Sequence, residues 1–322
     1  AEAGARADQA RRPARMSFER GYCMGMLHNR RLRYKDGREI NTWLIPGAED
    51  DVQCLGAAAP IDPEVGIVCF DDVEGLPIAI LWHFTLHANS NFGPCFSADY
   101  PGVVSGRLRE RFGAGVVSAF MPGAFGDINP VYPNCPGAAH RAIGNALADV
   151  IVDHLNHRKP RKGPIRVGAL KQELAVPRRD FTGDQEERIR KSQWSDDCAD
   201  LFRQQLEILR KEGVTEDKTF VQAWHVGDVA FATVPGELFV QWGLKLKEES
   251  PFPWTFPIGY SGDCLGYLVT EQAWKAGGYE SLPSGYSRPS VEGVSRLIET
   301  DLGLLRTLYS SQRTKGHGVG PS

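Results

Sequence analysis

Two residues of this chain stand where hydrolytic chemistry is usually built: a histidine closing one apolar run and a glutamate following another. His87 ends the apolar stretch 78–86, where that stretch gives way to a polar loop, and Glu237 follows Val234-Pro235-Gly236. Imidazole and carboxylate are ligand types of catalytic zinc, which commonly takes three protein ligands and a water whose pKa falls to roughly 7. His83 lies on the same strand face as His87, so a two-histidine pair is conceivable, with a hydrogen-bonded core histidine as the alternative. Glu237 reads as the start of a helix near a sheet edge, where a carboxylate also simply favours the helix dipole. Asp99 in Ser97-Ala98-Asp99 and Asp127 in Gly126-Asp127 suit loops, where an aspartate either orients a neighbouring ligand or bonds its own backbone. His154 and His157 have helical spacing but precede Arg158-Lys159 at a helix end, and read as solvated.

These residues need elements to position them. Residues 78–86 are rich in β-branched, aromatic and aliphatic side chains between turn residues, which predicts a buried strand. Residues 100–112 predict a helix and 116–121 a second strand, so the unit is strand, helix, strand, with both polar loops at strand C-termini. Residues 65–70 and 78–86 flank a turn near Glu74-Gly75 and predict a central antiparallel hairpin, and 220–225 with 229–234 predict another around Gly227-Asp228. Helices are expected at 138–157, 185–211 (interrupted near Trp194-Ser195), 238–249 and 291–308, and strands at 13–24, 165–176, 256–260 and 265–270. Residues 27–31 read as a loop and 35–61 as a long surface connection. Tyr260, Tyr267, Tyr279 and Tyr286 cluster in a glycine-rich region, and 310–322 read as a disordered tail.

Composition narrows the function classes. With 322 residues, 42% of them hydrophobic, the chain can bury a large core. A net charge of -3 and no basic stripe interleaved with aromatics exclude an electrostatic nucleic-acid binder. The cysteines, Cys23, Cys54, Cys69, Cys95, Cys135, Cys198 and Cys264, are scattered, odd in number and never spaced Cys-x-x-Cys, which argues against a disulfide framework or a cysteine zinc knuckle. No apolar run is long enough to span a bilayer and no leader-like segment opens the chain, which leaves the compartment open.

Five segments, in order, resemble the neutral/alkaline (non-lysosomal) ceramidases and their shorter bacterial relatives. They are Phe84-Thr85-Leu86-His87, Ser97-Ala98-Asp99-Tyr100-Pro101-Gly102, Gly123-Ala124-Phe125-Gly126-Asp127-Ile128-Asn129-Pro130, Val234-Pro235-Gly236-Glu237 and Gly266-Tyr267-Leu268-Val269-Thr270. The resemblance implies an α/β fold, a layered sandwich with mixed sheets, and a zinc amidase that cleaves an N-acyl lipid or related amide with metal-activated water. His87, Glu237 and Tyr267 match the family's metal ligands. Arg30, in Asn29-Arg30, matches an arginine that helps hold the substrate, with an exposed loop arginine as the alternative, and Tyr279 matches a tyrosine that contacts the substrate carbonyl.

Two departures shape that expectation. Ceramidases carry a further metal histidine on an upstream Thr-His-Thr-His-type segment, and this chain has no His-x-His. The expectation is a C-terminal portion of a longer catalytic domain over 1–309, with the further histidine supplied by a missing N-terminal segment or subunit. Asn129 stands where ceramidases have a serine; an amide can orient a substrate or donate to an oxyanion but cannot be acylated. A hydrolase of another amide or ester, and a non-catalytic binding subunit on the same scaffold, are the alternatives.

Overall fold

The computed structural model describes residues 2–314 except 43, 46, 92–93, 132–138, 184 and 191–195. The chain runs through α1 (Glu2–Gln9), β1 (Arg15–Tyr22), the short strands β2 (Leu27–Asn29), β3 (Arg31–Tyr34), β4 (Glu39–Asn41) and β5 (Cys54–Ala57), then β6 (Glu64–Asp71), β7 (Pro77–Phe84), α2 (Asp99–Phe112), β8 (Val117–Pro122), β9 (Ile128–Pro130) and α3 (Ala139–Asn156). It continues with β10 (Val167–Pro177), α4 (Glu186–Arg190), α5 (Asp196–Glu212), β11 (Glu216–Val226), β12 (Val229–Thr233), β13 (Glu237–Leu238), α6 (Val240–Glu249), β14 (Trp254–Ile258), β15 (Tyr267–Leu268), α7 (Glu271–Ala276) and α8 (Val291–Thr314).

Strand alternation sorts the apolar side chains into three layers. In β6, Val65, Ile67 and Cys69 face one way, onto Tyr100, Val104 and Leu108 of α2 and Ile143 and Leu147 of α3. Val68 faces the other way and meets Phe231 and Phe256 of the second sheet. In β12 the same rule puts Val229 and Phe231 on the inter-sheet side, and Ala230 and Ala232 against Leu297, Leu302 and Leu305 of α8. The result is a four-layer α/β/β/α sandwich, with sheet orders β1-β6-β7-β8 and β10-β11-β12-β14. Close approach at the seam requires Gly66, because a Cβ there would sit 2.3 Å from a ring carbon of Phe256.

Each sheet is mixed, as expected. β6 and β7 form the central antiparallel hairpin of the first sheet, and β8 joins β7 in parallel across α2. The second sheet repeats the pattern: β11 and β12 are a hairpin, and β14 runs parallel to β12 across α6. Two strand-helix-strand units, one per sheet, thus place their strand C-termini at the same end of the sandwich.

Several local expectations change. Residues 27–31 are not a loop: Leu27–Asn29 pairs with β9 and Arg31 begins β3. Residues 35–61 are not a bare connection, because β4 and β5 flank β3 in a three-stranded sheet over buried Leu32, Tyr34 and Ile40. The helix after Glu237 begins at Val240, since Glu237 and Leu238 pair in parallel with Tyr267 and Leu268. The interruption expected near Trp194-Ser195 falls outside the described residues. α8 extends to Thr314, its hydroxyls at Thr300, Thr307 and Ser311 bonding the carbonyl one turn earlier; 315–322 lie outside the described residues. The six described cysteines are free, and no described helix is long and apolar enough to cross a membrane.

Candidate metal and hydrolytic site

His87 follows β7, and Glu237 follows β12, so each comes from a different sheet. They meet at the common strand end: His87 Nε2 lies 2.9 Å from Glu237 Oε2. The other ring nitrogen, Nδ1, lies 2.9 Å from the Ile128 carbonyl. Both neighbours are acceptors. The ring therefore satisfies both as imidazolium, or donates from Nδ1 and offers its Nε2 lone pair to a cation beside Glu237. A backbone carbonyl holding the second nitrogen is the support metal-binding histidines usually have.

Glu237 is 4% exposed, yet its carboxylate is well supplied with donors. The Tyr286 hydroxyl donates to Oε1 at 2.6 Å, and Tyr260 also hydrogen-bonds the carboxylate. Burial works to raise this carboxyl, but its bonds with His87, Tyr286 and Tyr260 outweigh that and hold it below the ordinary carboxylate range. Its strand pairing with Tyr267 is equally confined, since a Cβ on Gly126 would lie 2.5 Å from the Glu237 carbonyl oxygen.

Tyr267 and Tyr279 stand beside this pair, with hydroxyls 3.4 Å apart and rings edge-to-face at 5.5 Å. Burial pushes both phenols up, which keeps them neutral hydroxyls near neutral pH. The Arg30 guanidinium lies 5.5 Å from the Tyr267 ring centroid and 5.3 Å from that of Tyr279. Far from being an exposed loop residue, Arg30 is 2% exposed. It donates to Glu280 Oε1 from Nε and Nη2, to the Gly126 carbonyl from Nη2, and to Asn129 Oδ1 from Nη1.

The remaining sequence candidates lie around this centre in supporting positions. Asn129 is buried on β9 and accepts from Arg30 at 3.2 Å. Asp127 accepts the Val240 backbone N–H at 2.8 Å and the Asn29 amide at 2.7 Å, joining β2 to the start of α6. Burial raises the Asp127 carboxyl to about 6, against the pull of those donors and of Arg30 and Arg31. Asp99, at φ 49°, accepts from the Ser90 and Asn91 backbone N–H groups and so fixes the loop that follows His87. His83 is not paired with His87. It is fully buried at the seam with Nε2 2.8 Å from the Pro257 carbonyl, and burial beside Lys247 lowers its pKa to about 3.

Whether this set suits a metal can be judged from its donors. His87 and Glu237 are of the right kind and converge, with phenols adjacent. Among the described residues, no three His, Cys, Asp or Glu side chains converge as ligands. The set therefore fits zinc in kind, with two side chains of the His and carboxylate types that zinc commonly takes.

No protein-family model and no curated protein sequence matches the chain. Solved structures do. The neutral ceramidase from Pseudomonas aeruginosa superposes with a TM-score of 0.64 at 17% identity, over 95% of this chain and 54% of that one. A ceramidase complexed with C2 gives 0.63 at 16% identity, over 94% and 55%. The chain has a neutral-ceramidase fold. It spans about half the length of the ceramidases it matches.

Within this ceramidase-like fold, residues that sequence reasoning passed over hold the site together. Glu280 is fully buried between two arginines, taking Arg30 on Oε1 and Arg31 on Oε2 at 2.6 Å. Arg179 donates to the backbone carbonyls of Glu280 and Leu282, anchoring the same loop. The tyrosine cluster in a glycine-rich region was the one signal pointing to Tyr260 and Tyr286. Nothing local marks Glu280, whose partners lie some 250 residues away.

Proposed function

We propose that this chain carries the hydrolytic centre of a zinc-dependent amidohydrolase that cleaves the amide bond of an N-acyl, ceramide-like lipid or a related amide with metal-activated water. The observation that carries the reading is the 2.9 Å approach of His87 Nε2 to Glu237 Oε2 across two sheets. Zinc would be held by His87, Glu237 and Tyr267, with a histidine from outside the chain completing the set. When bound, it would supply a water whose pKa falls to roughly 7 and a Lewis acid for the amide carbonyl.

The chain's own residues supply the rest. Tyr279, neutral and beside Tyr267, donates its hydroxyl to the carbonyl oxygen as negative charge develops there. Arg30, held by Glu280, backs both tyrosine rings and so fixes where the two phenols stand. Asn129 holds Arg30 and cannot be acylated, which removes an acyl-enzyme at that position and is compatible with water as the nucleophile. Asp127 and Asp99 fix the two loops that carry Glu237 and His87.

The test is hydrolysis of a short-acyl fluorescent ceramide by the purified protein, before and after chelation and zinc addition, alongside Glu237→Gln. Chelation should abolish cleavage, zinc should restore it, and Glu237→Gln should lose both metal and activity. Retention of both by Glu237→Gln would sink the reading. The direct His87–Glu237 contact, with no third such donor among the described residues, favours one other reading: a ceramidase-like binding subunit. That protein would bind the fluorescent lipid without stoichiometric zinc and without cleaving it.

A further inference from the structure

His87 and Glu237 each have a holder of their own. His87 is fixed through Nδ1 by the Ile128 carbonyl, which leaves Nε2 for the site. Glu237 is fixed through Oε1 by the Tyr286 hydroxyl at 2.6 Å, which leaves Oε2 facing His87. The two contacts do equivalent work: each consumes the outer atom of a side chain and so decides which atom the inner one must be.

The backbone is committed to keeping Tyr286 there. A Cβ on Gly266 would meet the Tyr286 carbonyl oxygen at 2.1 Å, so the two loops touch main chain to main chain. On the far side Ser287 Oγ donates to the Glu280 carbonyl at 3.0 Å, and the Arg288 N–H donates to the Leu265 carbonyl at 3.2 Å. Tyr260 reaches the same carboxylate from a left-handed backbone at φ 52°. For a non-glycine residue that conformation is rare and persists where the surroundings over-determine it. Both residues are exposed, at 41% and 43%, so neither tyrosine serves to fill a core.

We propose that Tyr286, assisted by Tyr260, is the positioning residue of Glu237: a phenol clamp that fixes the carboxylate's rotation and presents Oε2 to the metal side of the site. This rests on the zinc reading above and extends it to residues outside the ligand set. The clamp acts through Glu237, not on the substrate.

The experiment titrates zinc alone, against a chromophoric chelator, into the purified chain and its Tyr286→Phe, Tyr260→Phe and Glu237→Gln variants, with the melting temperature of each metal-free protein measured in parallel. Tyr286→Phe keeps the ring and removes only the hydroxyl. It is expected to weaken zinc binding about 10–100-fold, the usual effect of removing a metal ligand's outer partner. The metal-free melting temperature should barely move. Tyr260→Phe should weaken zinc in the same direction and gives an independent reading of the clamp should Tyr286→Phe fold poorly. If both phenylalanine variants bind zinc as tightly as the unsubstituted chain while Glu237→Gln loses it, the clamp is overturned and the metal reading stands. If Glu237→Gln binds as well as the unsubstituted chain, or no form binds zinc even when the segment or subunit carrying the outside histidine is supplied, both fall.

Discussion

The Asp127 carboxylate accepts the backbone N–H of Val240 at 2.8 Å, so the loop after β8 caps, from 113 residues away, the helix that follows Glu237. Phe239 occupies the cap position of that helix and gives no side-chain bond of its own. Asp127→Ala should therefore cost about 1–3 kcal/mol, leaving the Val240 N–H without its acceptor and the buried Asn29 amide with only the long bond to the Pro60 carbonyl at 3.4 Å. Urea unfolding measures the loss, and zinc affinity should fall with it because β13 is the next turn of chain. A stability change too small to measure would show that α6 does not depend on this contact.

Glu280 should be among the most sensitive positions in the chain. Its carboxylate is the shared partner of two arginines that are 2% and 3% exposed. Removing one partner of a buried ion pair strands the other charge and typically costs about 3–5 kcal/mol. Glu280→Ala is expected in that range by chemical denaturation, and Glu280→Gln, which retains an acceptor, below it. Because Arg31 keeps Glu39 at 2.7 Å, Arg30 and its two tyrosines should be disturbed first, visible as a change in tyrosine ultraviolet absorbance.

Asp301 gives a pH dependence of definite sign. It is fully buried in α8, and neither carboxylate oxygen has a partner among the described residues. Burial raises its pKa well above the ordinary value, so the folded state holds it protonated. The contribution to stability is complete below the unfolded pKa of about 3.9 and declines as pH rises toward the folded value. Asp301→Asn mimics the protonated group. It should leave the melting temperature nearly unchanged below about pH 4 and raise it progressively as the pH is increased, and thermal melts across pH would expose the error if the gain were the same at both ends.

Gly126 couples the two loops sterically. The methyl of Gly126→Ala would press within 2.5 Å of the Glu237 carbonyl oxygen, a backbone atom that cannot rotate away. We expect zinc affinity to fall by a larger factor than global stability would account for, as compared by chelator competition and urea unfolding.

How much of this was legible follows from where the information sits. The strand leading to His87 and the helix and strand after it were readable because a short apolar run between turn residues and a one-sided helical stripe are local properties of the chain. Glu237 was placed at a helix start because a two-residue strand has no period. Only its pairing with Tyr267, thirty positions on, defines it. Arg30 looked like a loop residue, since the short strands on either side of it are stabilised by partners in β9, β4 and β5. Its burial depends on Glu280, which no local pattern predicts. The tyrosines were visible as a cluster, but which phenol meets which oxygen is decided by loop packing around Gly266.

His87 hangs from one sheet and Glu237 from the other, so their separation is not a property of either loop alone. It is set by the thickness of the aromatic layer between the sheets, by Gly66 against Phe256, and by the ties between His83 and the Pro257 carbonyl and between Gly259 and the Pro122 carbonyl. The two side chains are the jaws of a caliper whose frame is the hydrophobic core. A single added methyl at Gly66 would open those jaws without touching any residue of the site, and core substitutions of this kind should therefore register first as altered metal affinity and only afterwards as lost fold.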